Sequence, residues 1–204
     1  MAFKFNQKRF LEEQKLPLQI IVGGIILLFI SLFLDEFILN IMKQIQNPYL
    51  FYFFSWVSSF SLLLFLLAVF PILILFLENK KQAIVSLIII FGLTLLITGI
   101  IKIAVARLRP TDVDFVLRFF DYSFPSQHAA FAIALLPIII KQMNKWKYFY
   151  IALAIFIGIS RLYLQAHYFS DIIAGALVGY IIAWCVLTFK DKYRYFTQTM
   201  AFDM

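Results

Sequence analysis

Residues 83–106 read AIVSLIIIFGLTLLITGIIKIAVA, an apolar stretch whose one charged residue, Lys102, lies near its end. A helix rises ~1.5 Å per residue, so about 20 apolar residues cross a bilayer core. This stretch is long enough and predicts a transmembrane helix. Five further apolar runs predict companions for it: Leu18–Leu34, Tyr49–Leu77, His128–Ile140, Tyr148–Tyr163 and Ile172–Phe189. The run from Tyr49 is overlong, and Pro71 inside it is expected to kink or end the straight portion. The run from His128 is short and is expected to start in the polar residues before it. Alternating strands of about ten residues are absent. The expected fold class is therefore all-α, a polytopic membrane bundle of about six transmembrane helices.

The composition agrees. Of the 204 residues 63% are hydrophobic and 14% charged, with a mean hydropathy of +0.91, whereas soluble domains run near ~25% charged. Soluble enzymes and disordered chains are both excluded. The lone cysteine, Cys185, allows no internal disulfide and no cysteine-based metal site. The formal charge of +7 is spread between apolar runs rather than gathered in one patch, which argues against a nucleic-acid partner. The expected organisation is one membrane domain, residues 18–189, between a basic tail at 1–17 and a C-terminal tail at 190–204. Phe3, Phe10 and Leu11 would share one helical face in the first tail, which suits an interfacial helix. An ordinary basic juxtamembrane tail fits equally well. No cleavable signal peptide is expected, because the first run is long and is followed by Asp35 and Glu36.

Six spans place the N-terminal tail, residues 78–82, residues 141–147 and the C-terminal tail on one side. Twelve of the 18 Lys and Arg residues fall there, so the positive-inside tendency makes that side cytoplasmic, with both termini inside. The chemically interesting residues fall on the other side. They form three clusters: Lys102–Pro110 (KIAVARLRP), Pro125–His128 (PSQH) and Ser160–Asp171 (SRLYLQAHYFSD). Singly, each has an ordinary reading: a snorkelling lysine, a solvated interfacial histidine, an arginine anchoring a headgroup. Together they suit one anion.

Lys102 and Arg109 are seven apart, two turns on one helix face, with Pro110 expected to end that helix beside Arg109. Arg161 adds a third cation, and arginine suits phosphate because its planar fork donates two parallel hydrogen bonds. Ser126 and Gln127, just after Pro125, sit at an expected helix start, where free N–H groups and the helix dipole favour an anion. His167 and Asp171 are four apart and would share a helix face. A carboxylate on one ring nitrogen fixes the tautomer and makes the other nitrogen a better nucleophile or base. His128 is placed to protonate a departing oxygen. A nucleophile, an orienting carboxylate, a separate acid and three cations make a phosphatase constellation that needs no metal and no other cofactor. Asp112, Asp114 and Asp121 are the acids a metal would use, but acids in a solvated loop are usually only that.

At these residues the chain resembles the type 2 phosphatidic acid phosphatase superfamily, whose motifs are Lys-x6-Arg-Pro, Pro-Ser-Gly-His and Ser-Arg-x5-His-x3-Asp. Lys102, Arg109 and Pro110 match the first, and Ser160, Arg161, His167 and Asp171 match the third. Pro125, Ser126 and His128 match the second, with Gln127 where the family has glycine. The resemblance implies that His167 attacks phosphorus and forms a phosphohistidine, that Asp171 orients it and that His128 protonates the leaving oxygen. It implies phosphate binding by Lys102, Arg109, Arg161, Ser126 and the Gln127 N–H, with Pro110, Pro125 and Ser160 structural. Gln127 keeps the N–H, so altered selectivity or rate is expected rather than loss of function.

A site at the outer membrane surface, with no sizeable soluble domain, suits a lipid phosphate or diphosphate lying in that surface. The family's range includes polyprenyl diphosphates, phosphatidylglycerophosphate and phosphatidic acid, and an outward-facing site favours the undecaprenyl-type carrier. The alternatives are transfer of the phosphate to a lipid or sugar acceptor and non-catalytic transport of an anion or lipid. Transport needs a continuous polar path, which the inner halves of these runs hardly offer. The oligomeric state is open at this stage.

Overall fold

The computed structural model describes residues 7–111 and 122–200, with side chains at 17–59, 62–111 and 122–190. Among them every regular element is helical. The order is α1 (Gln7–Gln44), α2 (Pro48–Val57), α3 (Phe60–Leu64), a π-helical turn (Phe65–Val69), α4 (Phe70–Leu77), α5 (Lys81–Val105), α6 (Gln127–Gln142), a short 3₁₀ turn, α7 (Lys147–Tyr163) and α8 (Phe169–Met200). Among the described residues three helices are long and apolar enough to cross a membrane: Pro17–Gln44 of α1, α5, and Phe169–Lys190 of α8. A fourth candidate is the broken pair Pro48–Val57 and Leu62–Leu77, bent by 46°. α6 has 16 residues and α7 has 17, short of the ~20 that a bilayer core asks for.

Two expectations about helix ends need correction. The run at Tyr49–Leu77 bends near Ser58 and Ser59, not at Pro71. Ser58 closes α2 and its hydroxyl lies 2.6 Å from that of Ser160 on α7, so a tertiary contact fixes the break. Pro71 instead stands in the first turn of α4, where its missing N–H costs least. Likewise α1 does not end at Asp35 and Glu36 but runs on to Gln44. The basic tail from Gln7 is helical and continuous with the first apolar run; Phe3 and Lys4 lie outside the described residues. Residues 190–200 similarly continue α8.

α6 is the hub, packed by α5, α7 and α8, while α1 lies along α8. Leu135, Ile138 and Ile139 of α6 are buried with Leu87 and Ile90 of α5, Tyr150 and Ile157 of α7, and Ala183 of α8. Being shielded on several sides, α6 is alanine-rich rather than uniformly large, and Ala129, Ala130, Ala132 and Ala134 are all buried. Its contact with α8 is unusually close. A Cβ at Gly175 would lie 2.2 Å from the Ser126 carbonyl oxygen, and one at Gly179 would lie 2.1 Å from that of Ala130. Only glycine lets the two backbones approach so nearly. That approach brings the start of α6 against the first turns of α8, where the Ser126 N–H donates to the Asp171 carbonyl at 2.9 Å.

Candidate active site

Two connections, α5–α6 and α7–α8, meet at the end of the bundle where α5 and α7 finish and α6 and α8 begin. α5 stops at Val105, and Ala106 closes it with φ 50°, its N–H bonded to the Lys102 carbonyl at 2.9 Å. A Cβ in this left-handed cap costs about 1–2 kcal/mol, which the glycine common at such a position would avoid. Lys102 and Arg109 therefore do not share a helix face as their spacing suggested, because Arg109 and Pro110 follow in the loop. The loop still delivers Arg109 to the site. Its Nη1 donates to the Ala166 carbonyl at 2.6 Å and lies 3.4 Å from His167 Nε2. The Lys102 ammonium donates to the Tyr122 carbonyl, just ahead of Pro125.

α6 starts as its sequence suggested. Ser126 is the N-cap, wholly buried beside a buried Pro125, and its hydroxyl accepts from the Ala129 N–H at 3.5 Å. Gln127 and His128 occupy the first turn, where N–H groups have no intrahelical acceptor. The Gln127 side chain donates to Thr98 Oγ1 of α5 at 3.1 Å, which turns it onto the neighbouring helix. His128 lies within electrostatic range of Arg161, Arg109, Lys102 and His167.

Arg161 stands in the last turn of α7, and its carbonyl accepts from the Ala166 N–H at 3.1 Å. Gln165, at φ 51°, reverses the chain between them. Ser160, wholly buried, donates to the Ile157 carbonyl at 2.7 Å and meets Ser58, a structural task. His167 precedes α8 instead of lying on it, so the expected helical pairing with Asp171 is replaced by a turn that reaches the same end. His167 Nδ1 lies 3.6 Å from Asp171 Oδ2, a little beyond hydrogen-bond length, and His167 is 1% exposed. Burial first, then the charges of Arg161, Arg109 and Lys102, push the His167 pKa well below the ordinary imidazole range. Both effects favour the neutral ring.

The sequence reading missed a second layer of residues. Arg107 donates from Nη1 to Asp171 Oδ1 and from Nη2 to Asp35 Oδ2, both at 2.8 Å. Burial opposes its charge, but the hydrogen bonds and charges of the two carboxylates outweigh that and hold its pKa above the ordinary guanidinium value. The Tyr168 N–H donates to Asp171 Oδ2 at 2.9 Å, and the Tyr168 ring lies 4.0 Å beneath the Arg107 guanidinium. The signal available for Asp35 was an acid with apolar residues on both sides, the run to Leu34 before it and Phe37, Ile38 and Leu39 after Glu36. Among the described residues no three His, Cys, Asp or Glu side chains converge as a metal site. Asp112, Asp114 and Asp121 lie outside the described residues.

A buried neutral imidazole, a carboxylate behind it and arginine beside its outer nitrogen form an arrangement able to attack phosphorus while cations hold the oxygens. The sequence model of the PAP2 superfamily matches residues 83–195, more than half of the chain, and takes in all three clusters. The chain belongs to the PAP2 superfamily. It is 29% identical over 123 residues to phosphatidylglycerophosphatase B of Bacillus subtilis, covering 55% of this chain and 60% of that protein. It is also 34% identical over 83 residues to the bacitracin transport permease protein BcrC of Bacillus licheniformis, covering 40% of each. The chain thus spans 60% of the first relative and 40% of the second, less than two thirds of either. The crystal structure of a transmembrane PAP2 type phosphatidylglycerolphosphate phosphatase from Bacillus subtilis superposes with a TM-score of 0.64 at 23% identity. That superposition covers 84% of this chain and 96% of the other, and it shows a shared PAP2 fold.

Proposed function

We propose that this PAP2 protein is an integral-membrane lipid phosphatase that cleaves a phosphate ester or diphosphate of a membrane lipid through a phosphohistidine on His167. The preferred substrate is a polyprenyl diphosphate of the undecaprenyl type, and the reaction needs no metal. The observation that carries this reading is the placement of the His167 ring, with Nδ1 toward Asp171 and Nε2 beside Arg109. The Nε2 lone pair attacks phosphorus, the bond to the leaving oxygen breaks, and His128 supplies the proton that oxygen takes. Lys102, Arg109 and Arg161 balance the phosphoryl charge, with the Ser126 hydroxyl and the Gln127 N–H donating to its oxygens. Water then attacks phosphorus and gives a proton to the now neutral His128, which restores the acid, while the electron pair of the N–P bond returns to Nε2.

The membrane arrangement belongs to the same proposal: six spans, both termini cytoplasmic and the site at the extracytoplasmic face of the cell membrane. A phosphatidylglycerophosphate substrate is the second reading, favoured by the names of the Bacillus subtilis relative and of the solved structure. The permease name of the other relative speaks for transport.

Purified protein in detergent or proteoliposomes should release inorganic phosphate from a panel of undecaprenyl diphosphate, phosphatidylglycerophosphate and phosphatidic acid, with the diphosphate turned over fastest. Release should survive excess chelator. His167→Ala should abolish it, together with any trapped phosphoenzyme. His128→Ala should slow an alkyl phosphate more than p-nitrophenyl phosphate, because a good leaving group scarcely needs protonation. Loss of release in chelator, restored by magnesium, would overturn metal independence. No release from any lipid, alongside protein-dependent flux of the lipid, would favour transport.

A further inference from the structure

Asp35 is a carboxylate in the apolar run of α1, 5% exposed, a position where an acid is costly unless it is paired and used. Among the described residues, the hydrogen bonds of Asp35 lead to the site. Oδ1 accepts from the Ser170 N–H at 2.8 Å, and Oδ2 accepts from the Ser170 hydroxyl at 2.6 Å and from Arg107 Nη2 at 2.8 Å. Arg107 Nη1 bonds the Ser170 hydroxyl at 2.7 Å and Asp171 Oδ1 at 2.8 Å. Asp171 presents its other oxygen to His167. A line of alternating charge, Asp35, Arg107, Asp171, thus ends at the ring proposed as the nucleophile.

We propose that Asp35 and Arg107 are positioning residues that set the orientation and the net charge of Asp171 behind His167. The inference rests on the phosphohistidine reading above. Arg107 holds the Asp171 carboxylate in place, but alone it would cancel that carboxylate's charge. Asp35 restores a net charge of one negative unit behind the ring. The negative charge matters when Nε2 bonds phosphorus: Nδ1 keeps its proton, the ring becomes cationic, and Asp171 is its counter-charge. The same two residues also hold the first turn of α8 against α1, so a merely structural tie is the competing account.

A charge cycle separates the two accounts. Asp35→Asn leaves a neutral Arg107–Asp171 pair, Arg107→Gln leaves two uncompensated carboxylates, and the double variant leaves Asp171 as the single negative charge. Asp35→Asn should lower kcat about 10–100-fold, the range seen when the outer partner of a metal-bound histidine is lost, with KM within about twofold and less trapped phosphoenzyme. The double variant should recover part of that kcat. A second readout does not depend on turnover: ring ¹⁵N titration of the chain's two histidines. The groups acting on His167 are Asp171 from α8, Arg161 from α7, Lys102 and Arg109 from α5 and its loop, the Ser123 backbone in that loop, and His128 from α6. None of these changes in the cycle. The His167 midpoint should move down in Asp35→Asn, up in Arg107→Gln and back toward the parent in the double variant. Parental kcat in Asp35→Asn, a double variant no better than Asp35→Asn, or an unmoved midpoint would overturn the inference. A parent protein that releases no phosphate defeats the phosphatase reading instead, and the midpoints still decide this one.

Discussion

At the scale of single residues, His167 carries the most consequence. Its folded pKa is depressed by burial and by Arg161, Arg109 and Lys102, so in the unfolded chain it binds a proton at a higher pH. Its contribution to stability is therefore fully present above the ordinary imidazole pKa of about 6.5 and is lost as pH falls through the folded value. Thermal unfolding of the parent should drop more steeply on acidification from pH 7 to 5 than that of His167→Gln. Equal slopes would show that His167 is not held neutral. Gln127 offers a second test. Its side chain bonds Thr98, and the Thr98 hydroxyl also donates to the Thr94 carbonyl at 2.6 Å. Gln127→Gly should thus cost about 1 kcal/mol of stability and leave turnover within a few-fold, since the N–H remains. Gln127→Pro removes that N–H at a position where proline suits a helix; turnover should fall about 10²–10³-fold. A folded proline variant with parental turnover would remove position 127 from the phosphate site.

At the scale of elements, the α6–α8 contact does most to assemble the site. Ser126 and Asp171 belong to different helices, and their backbone bond survives only while Gly175 and Gly179 let the helices touch. Gly175→Ala puts a methyl group against a carbonyl that cannot swing aside. Overpacking of this kind costs about 1–3 kcal/mol, and a displacement near 1 Å in a catalytic array can cost about 10² in rate. Lower thermal stability and a lower kcat should appear together in this variant. Gly92→Ala, with nothing within 4 Å of the new atom, is the matched control and should leave both unchanged or slightly raise stability. If the two variants behaved alike, close helix approach would not be what builds the site.

Across the whole molecule, the unequal distribution of base predicts sidedness. Lys43, at the end of α1, and Asn144, between α6 and α7, are both exposed and stand at opposite ends of the bundle. In a Cys185→Ala background, a membrane-impermeant thiol probe should reach Lys43→Cys from outside intact cells and Asn144→Cys only after the membrane is opened. The reverse pattern would put the site in the cytoplasm and remove the reason for preferring an outward-facing polyprenyl carrier.

The sequence by itself determined what depends on composition and local spacing. Long apolar runs made membrane helices obligatory, because backbone polar groups cannot stay unsatisfied in hydrocarbon. Ser126 after Pro125 marked the start of α6, because its side chain can cap a helix while a proline cannot continue one backwards. The residues of the three clusters were legible for the same reason: each cluster is short. Only the tertiary structure decided how they meet. Arg109 left its helix through the turn at Ala106, and His167 reached Asp171 from a loop rather than a helix face. The break at Ser58 came from a hydroxyl on α7, and Asp35, which looked like the end of a span, found Arg107 and Ser170 across the bundle. The contacts of Ser58 and of Asp35 join residues about 70 to 135 positions apart, and nothing in local propensity encodes them; they exist because helix packing brings distant polar groups together where no water can serve them instead.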